Sequence, residues 1–153
     1  MSLLDTVVHE FRKDAFLIST QKSKLNLDLI HDYLSKHSYW AENIPRDIVE
    51  RSIQNSLSFG VYHHEKQIGF ARITTDFATY GYLADVFIVE TYRGQGLSKW
   101  LMECIFNQIP ELQGFRKWSL ATADAHGLYE QFGFTALARP ERMMEKVNFK
   151  KYS

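Results

Sequence analysis

The sequence predicts a mixed α/β fold, because strand-like and helix-like stretches alternate along the chain. Tyr80–Val89 is nearly apolar on both faces, which is typical of a strand buried inside a sheet. Leu97–Ile109 carries the clearest apolar stripe at helical spacing. The chain has 153 residues and 45 % hydrophobic side chains, enough for one sizeable core. We therefore expect residues 1–153 to form a single domain.

The first third of the chain predicts one strand followed by two helices. Phe16–Thr20 is a short stretch of apolar and β-branched residues, which predicts a strand. Apolar residues recur at helical spacing over Leu25–His37, and Asn26 can cap that helix. A second helical pattern runs over Pro45–Leu57, where proline is tolerated in the first turn because its missing N–H has no partner there.

The remaining elements follow from the same reasoning. Leu57–Val61 alternates, His63–Lys66 offers a polar turn, and Ile68–Thr75 resumes a strand-like composition, which together predict a hairpin. After the buried strand and the strong helix, which Pro110 ends, we predict a strand at Phe115–Ala121, a short helix at Asp124–Phe132, and terminal strands at Phe134–Leu137 and Met143–Val147. Asp124 would cap the short helix and Gly133 would close it. The predicted element order is β-α-α-β-β-β-α-β-α-β-β.

Charge and cysteine content exclude several classes of protein. Eighteen basic residues balance eighteen acidic ones, so no overall field favours nucleic acid or an acidic membrane. Only the segment Arg139–Lys151 has an excess of basic residues, which a solvated tail explains. The single cysteine, Cys104, excludes an internal disulfide and a zinc ribbon, and no run of residues approaches a membrane span. The six histidines show no metal-ligand spacing, so we expect no metal and a reducing, cytoplasmic location.

The junction between the buried strand and the strong helix is the sharpest feature of the sequence. Arg93-Gly94-Gln95-Gly96 lies there, and glycines at such a junction let the backbone approach a ligand. The start of a helix also presents unpaired N–H groups, so an anion such as phosphate is the simplest ligand. The pattern fits neither a P-loop nor a dinucleotide fingerprint, which would need a third glycine where Lys99 stands. A plain tight turn is the alternative interpretation.

In its context, this segment resembles the acyl-CoA-binding motif of the GNAT superfamily of N-acetyltransferases, Arg/Gln-x-x-Gly-x-Gly/Ala. Here the motif is Arg93-Gly-Gln-Gly-Leu-Ser98, with serine in the last place. A second stretch, Ala123–Phe134, is similar to the family's later signature and contains Leu-Tyr-x-x-x-Gly-Phe. Asp124 stands where the family often has Asn. The resemblance implies a mixed, mostly antiparallel central sheet flanked by helices.

The resemblance implies acetyl-CoA as cosubstrate. The backbone amides of residues 94–98 would cradle its pyrophosphate, and residues 87–89 would pair with the pantetheine arm as an extra strand would. Arg93 would add charge near the phosphates, or else face solvent. The residues assigned to coenzyme A in this way are Phe87, Ile88, Val89, Arg93, Gly94, Gln95, Gly96, Leu97 and Ser98.

Acetyl transfer to an amine needs a base for the ammonium, with a pKa near 10, and an acid for the leaving thiolate, with a pKa of about 8.5. Tyr129 matches the tyrosine of the second signature and is the candidate acid; a core aromatic is the alternative. Asp85 interrupts an apolar strand on a face shared with Leu83 and Phe87, and is the candidate base or the anchor of a water that acts as one. A structural aspartate at a strand irregularity is equally compatible.

The resemblance places a further group of residues in or beside the walls of the acceptor pocket, and aromatic walls suit an apolar or cationic amine. These residues are Tyr33, Tyr39, Trp40, Arg72, Asp76 and Tyr80. We expect an enzyme that acetylates a primary amine of a small molecule or peptide, with a homodimer as a further possibility. The alternative is a module that binds or senses acyl-CoA without turning it over.

Overall fold

The computed structural model of the chain describes residues 2–153 and contains a six-stranded sheet whose strands lie in sequence order. The strands are β1 (Glu10–Lys13), β2 (Phe16–Ser19), β3 (Leu57–His63), β4 (Lys66–Thr75), β5 (Tyr80–Ile88) and β6 (Lys117–Ser119). The helices are α1 (Leu3–Thr6), α2 (Leu27–His37), α3 (Arg46–Gln54), α4 (Leu97–Asn107) and α5 (His126–Glu130). Neighbouring strands are antiparallel except β5 and β6, which are parallel. The predicted fold class is confirmed.

Local chemistry explains where these elements begin and turn. The Asn26 side chain accepts a hydrogen bond from the Leu29 N–H at 3.1 Å, which confirms the predicted cap of α2. Pro45 has an extended backbone and is the N-cap of α3, one position before the first turn where we predicted it. The predicted hairpin forms between β3 and β4, and His64 adopts a φ of +56° in its tight turn.

The sheet separates two apolar cores. On one face, α4 buries Leu101, Met102, Cys104 and Ile105 against β3, β4 and β5, so Cys104 lies on the buried stripe as predicted. On the other face, α2 and α3 bury Ile30, Leu34, Val49 and Ile53 around Phe70 and Phe87. Each such side chain stabilises the fold by about 1.5–3 kcal/mol on burial. The two cores hold β5 firmly from both sides.

Strand β5 contains a bulge that the sequence does not reveal. Ala84 pairs with Arg72, but Phe87 pairs with Phe70, so Asp85 and Val86 together oppose one residue of β4. Asp85 takes a φ of +56° there. The extra residue reverses the alternation of side chains, so Leu83 packs in the α4 core and Phe87 in the α2–α3 core. The prediction that Leu83, Asp85 and Phe87 share one face is therefore wrong.

The ends of the chain differ most from the prediction. The structure adds α1 and β1 at the N-terminus. Three of the four residues in β1 are charged, which suits the exposed edge of a sheet but lacks apolar alternation. The two predicted terminal strands do not form in the described part of the chain, and every residue from 135 to 151 is exposed. A strand needs a hydrogen-bonding neighbour, and within residues 2–153 no strand pairs with either segment.

The segment between β6 and α5 also departs from the prediction. Strand β6 covers only Lys117–Ser119 of the predicted range, and α5 begins at His126. Asp124 does not cap this helix; the Thr122 hydroxyl instead accepts the Ala125 N–H at 3.1 Å. Gly133 has a φ of +93° and closes the helix as predicted. Over residues 2–153, no helix has the length and apolarity that crossing a membrane requires.

Candidate active site

Strands β5 and β6 pair over three residues and then separate. The cavity lined by Asp85 and Tyr129 lies where they separate. They pair only where Tyr80–Tyr82 faces Lys117–Ser119. Beyond Tyr82, a cavity of about 420 Å³ opens between β5 and the segment that follows β6. In the described chain, no strand pairs with this part of the β5 edge on the β6 side, so its backbone groups are open to a ligand.

The glycine loop at the end of β5 leads directly into α4. Gly94 and Gly96 have φ values of +83° and +81°, and a Cβ added at either would meet no atom within 4 Å. The loop is therefore open rather than packed against its neighbours. Gly96 is the N-cap of α4, and the first helical hydrogen bond runs from the Trp100 N–H to the Gly96 carbonyl. The amides of the first helical turn are thus free to bind an anion.

The Arg93 side chain does not extend over these amides. Its Nε donates to the Ile88 carbonyl at 2.9 Å, and a terminal nitrogen donates to the Tyr33 hydroxyl at 2.7 Å. Gln95 similarly donates to the Tyr92 carbonyl at 3.0 Å. These bonds tie the loop to β5 and α2, and they leave the amides of the first turn of α4 uncovered by either side chain.

The three residues at the end of β5 are anchored by their side chains and by β4. Phe87 stacks on Tyr33 with ring centroids 3.9 Å apart, and Ile88 packs in the α4 core. The Val89 N–H donates to the Ile68 carbonyl at 2.8 Å, so that group is not available to a ligand. The Val89 carbonyl accepts the Tyr92 N–H at 2.9 Å and the Ile88 carbonyl accepts Arg93 Nε, so a ligand would use the remaining backbone groups on the edge away from β4.

Tyr129 projects from α5 into the α4 core and borders the cavity. Its side chain is 8 % exposed, and it lines the cavity with Leu120–Ala125 and residues of β5. Burial, with smaller contributions from neighbouring Tyr39 and Asp124, raises the pKa of Tyr129 to about 12. The hydroxyl therefore stays protonated over the physiological range, in the form that donates a hydrogen bond.

Asp85 lines the same cavity from the bulge in β5. Arg72 Nε donates to Oδ2 at 2.9 Å, and Trp40 Nε1 donates to Oδ1 at 2.8 Å. The carboxylate is 11 % exposed and forms an ion pair with Arg72. The irregularity in the strand thus turns a charged side chain from an apolar strand towards partners, which offsets the cost of burying it.

The residues proposed to wall an acceptor pocket do not all come together. Tyr39 and Trp40 line the cavity, and Arg72 reaches it through Asp85. Tyr33 lines a different cavity beside Arg93, of about 330 Å³. Asp76 instead accepts hydrogen bonds from Ala78, Thr79 and Tyr80, and those from Thr79 hold the pKa of its carboxyl well below the usual value.

Tyr80 lies at the paired start of β5, outside the cavity. Sequence reasoning missed Tyr82 and Leu120–Thr122, which line the cavity only because β5 and β6 diverge. Within residues 2–153, no three His, Cys, Asp or Glu side chains cluster as a metal site would require.

Comparison with known proteins decides the family. A family model described as "Acetyltransferase (GNAT) domain" matches residues 54–136, more than half of the chain. The chain belongs to the GNAT acetyltransferase family. The matched region contains β3 to α5, and therefore both the glycine loop and Tyr129 of this GNAT chain.

Individual relatives agree with this assignment. A crystal structure from Xanthomonas campestris pv. campestris, of a chain described as belonging to the GNAT family, is 45 % identical and superposes with a TM-score of 0.84 over 86 % of this GNAT chain and 92 % of that one. A curated Gibberella zeae protein named as an acetyltransferase is 27 % identical over 74 % of this chain and 75 % of its own length. An acetyltransferase structure from Clostridium acetobutylicum, solved with acetyl-CoA, shares the fold at 18 % identity, with a TM-score of 0.65 over 87 % of this chain and 94 % of that one.

Proposed function

We propose that this GNAT chain is an N-acetyltransferase that moves the acetyl group of acetyl-CoA to a primary amine by direct attack. The observation that carries the proposal is the position of Tyr129 and Asp85. Both line one cavity, which opens at the unpaired edge of β5. The glycine loop, with its free amides, follows the same strand.

Acetyl-CoA would bind along this edge. The amides of residues 94–98 would hold the pyrophosphate, since both glycines are open and the first turn of α4 has unpaired N–H groups. The backbone of residues 87–89 would pair with the pantetheine arm on the edge away from β4. This arrangement would place the thioester in the gap between β5 and β6. The Clostridium acetobutylicum relative, solved with acetyl-CoA, supports the choice of ligand.

The chemistry needs two proton movements and no covalent enzyme intermediate. The nitrogen attacks the thioester carbon, the C–N bond forms, the C–S bond breaks, and the sulfur takes up a proton as the amine gives one up. Tyr129 would donate to the departing sulfur, because its hydroxyl remains protonated and its side chain lines the cavity. Backbone amides near the carbonyl would stabilise the oxyanion, and holding both reactants in one cavity would supply much of the rate.

Asp85 would receive the proton of the amine, directly or through a water that it holds. Its carboxylate faces the cavity from the opposite wall to Tyr129, and Arg72 fixes its orientation. An acid and a base on opposite walls suit a reaction in which nitrogen approaches from one side and sulfur leaves on the other.

The acceptor would be a small molecule or a peptide carrying a primary amine. The aromatic rings of Tyr39, Trp40 and Tyr82 line the cavity beside Asp85 and Asp124, and such a wall attracts an ammonium group. We place this activity on residues 1–153 as one domain. A reducing, cytoplasmic location is proposed from the single cysteine.

We also propose a homodimer. A second cavity, of about 390 Å³, lies along the outer side of β6 and is bordered by Trp118–Thr122, Tyr129 and residues 134–137. The exposed tail carries apolar residues that match it: Met143, Met144, Val147 and Phe149 are 51–94 % exposed. Tyr152, beyond them, packs on the α2–α3 core of its own chain, and no tail residue past Leu137 lines the groove. The tail of a second copy would fill the groove, each chain donating to the other.

Two measurements test the enzymatic proposal. Titration calorimetry with coenzyme A and acetyl-CoA should detect binding, and a thiol-release assay with a panel of primary amines should detect turnover. Cys104 is buried, so the protein adds no thiol background to that assay. Binding without turnover of any amine would favour the acyl-CoA-binding module, and absence of binding would overturn both proposals.

A further inference from the structure

The connection between α2 and α3 places two exposed aromatic side chains on a fixed backbone. Ser38, Ala41 and Ile44 are buried, and the Ser38 hydroxyl donates to the Leu34 carbonyl at 2.6 Å and accepts the Ala41 N–H at 3.0 Å. Between these anchors, Tyr39 and Trp40 are 58 % and 41 % exposed. Their side chains can therefore rotate without any movement of the chain.

Each aromatic side chain is held by one hydrogen bond, and the two bonds reach opposite walls of the cavity. The Tyr39 hydroxyl accepts the Ala123 N–H at 2.8 Å on the β6 side, and the Trp40 indole donates to Asp85 at 2.8 Å on the β5 side. The two rings meet edge to face with centroids 5.0 Å apart. The pair thus spans the cavity that contains Asp85 and Tyr129.

The two oxygens of Asp85 have partners of different kinds. Oδ2 is bound by Arg72, which lies on the central strand β4 and is 20 % exposed. Oδ1 is bound by the Trp40 indole, a neutral donor on a half-exposed side chain. The indole offers the carboxylate a hydrogen bond but no opposite charge, whereas an ammonium group offers both. A cationic amine can therefore displace the indole from Oδ1. At Oδ2 it would have to displace the Arg72 guanidinium, which is itself a charged donor.

We propose that Asp85 Oδ1 is the binding position of the acceptor ammonium, and that the Trp40 indole occupies this position until the acceptor replaces it. This inference rests on the proposed function and adds to it the acceptor class, a primary amine that arrives as a cation. It also assigns Trp40 a role in acceptor specificity: a neutral alcohol or amide gains too little at Oδ1 to displace the indole. On displacement, the acceptor nitrogen lies against the carboxylate that takes its proton.

The decisive variant is Trp40→Phe, which keeps an aromatic ring but removes the N–H. If the indole competes with the acceptor, this variant lowers the KM for the amine by about 3- to 10-fold, the net worth of one hydrogen bond, and leaves the KM for acetyl-CoA unchanged. Because phenylalanine keeps an aromatic face for the ammonium, a Trp40 that acted only through its ring would leave the amine KM unchanged or raise it. A raised or unchanged amine KM overturns the inference. Trp100→Phe, on α4 and outside the cavity lining, is the matched control and should leave the amine KM unchanged.

A binding measurement separates this inference from the proposed function. Titration of the coenzyme A complex with n-butylamine should change the tryptophan fluorescence of the wild-type protein saturably, and the change should be absent in Trp40→Phe. Saturable binding without turnover of any amine would contradict the proposed function and leave the inference standing. Turnover of amines with no fluorescence change at Trp40 would overturn the inference and leave the function standing.

Discussion

Tyr129 and Tyr62 are both buried, yet their hydroxyl groups lie in different surroundings. Burial raises the pKa of each tyrosine, that of Tyr129 to about 12. The Tyr62 hydroxyl is fully enclosed, and residues 2–153 offer it no hydrogen-bond partner. Tyr129 borders two cavities, which gives its hydroxyl room for a ligand. The same side chain thus has a structural role in one place and a candidate chemical role in the other.

Replacing Tyr129 by Phe should lower kcat by about 10²-fold, the lower end of what a positioned acid contributes. Because the pKa of Tyr129 is about 12, the wild-type rate should show no decline from its ionisation below about pH 11. Steady-state kinetics between pH 6 and about 10 measure both effects. Unchanged kinetics across that range in Tyr129→Phe would remove the tyrosine from the mechanism.

Tyr62→Phe is the matched control for that substitution. It removes a buried hydroxyl that has no partner, so the free energy of unfolding should rise by about 1 kcal/mol while kcat stays at the wild-type value. Urea denaturation measures the change in stability. A loss of stability would mean that the hydroxyl has a hydrogen-bond partner in solution.

Cys104 offers another prediction about a single side chain. Burial raises the pKa of its thiol to about 12, so almost none is thiolate at neutral pH. Iodoacetamide should leave the mass and the transfer rate of the native protein unchanged, and should add one group per chain in denaturant. Alkylation of the native protein with loss of activity would instead point to an acyl-cysteine route.

At the level of elements, the glycine loop combines an unusual backbone with open space. Gly96 and Gly114 have similar φ values, +81° and +83°, and neither would crowd a Cβ. They differ in position, since Gly96 caps α4 at the proposed phosphate site and Gly114 lies in the turn before β6. Substituting each of these two glycines therefore separates the effect of backbone strain from the effect of ligand contact.

Gly96→Ala and Gly114→Ala should each lower the free energy of unfolding by about 1 kcal/mol, the cost of a left-handed conformation for alanine. Only Gly96→Ala should raise the Kd for acetyl-CoA, because its methyl group would face the pyrophosphate. Calorimetric titration of both variants measures this. Equal Kd values in the two variants would argue against a phosphate site at the loop.

At the scale of the whole molecule, the proposed homodimer can be tested with two apolar side chains of similar exposure. Val147 in the tail and Val8 before β1 are 57 % and 55 % exposed, so replacing either by Asp disturbs a single chain equally little. Val147→Asp should convert the dimer to a monomer, because it places a charge in the groove beside β6, whereas Val8→Asp should remain dimeric. Light scattering after gel filtration measures the mass. A monomeric wild type, or a dimer that survives Val147→Asp, would contradict tail exchange.

The sequence predicted most of the fold because its strongest signals are local. The stripe of α4, the cap at Asn26, the hairpin turn at His64 and the apolar run of β5 depend on near neighbours in the chain. The glycine motif and Tyr129 could be named because both lie in short local motifs that resemble those of the family. The prediction of terminal strands was wrong because a strand-like composition indicates only a preference for pairing, and in residues 2–153 neither segment pairs with the sheet.

What the sequence by itself determined was the set of elements, the apolar faces that pack them and the residue types available for chemistry. Only the tertiary structure decided how Asp85 is used. One extra residue in β5 turns it towards Arg72 and Trp40, and the divergence of β5 from β6 creates the cavity it shares with Tyr129. A bulge and a strand divergence arise from pairing between distant segments, which the order of residues along one segment does not encode.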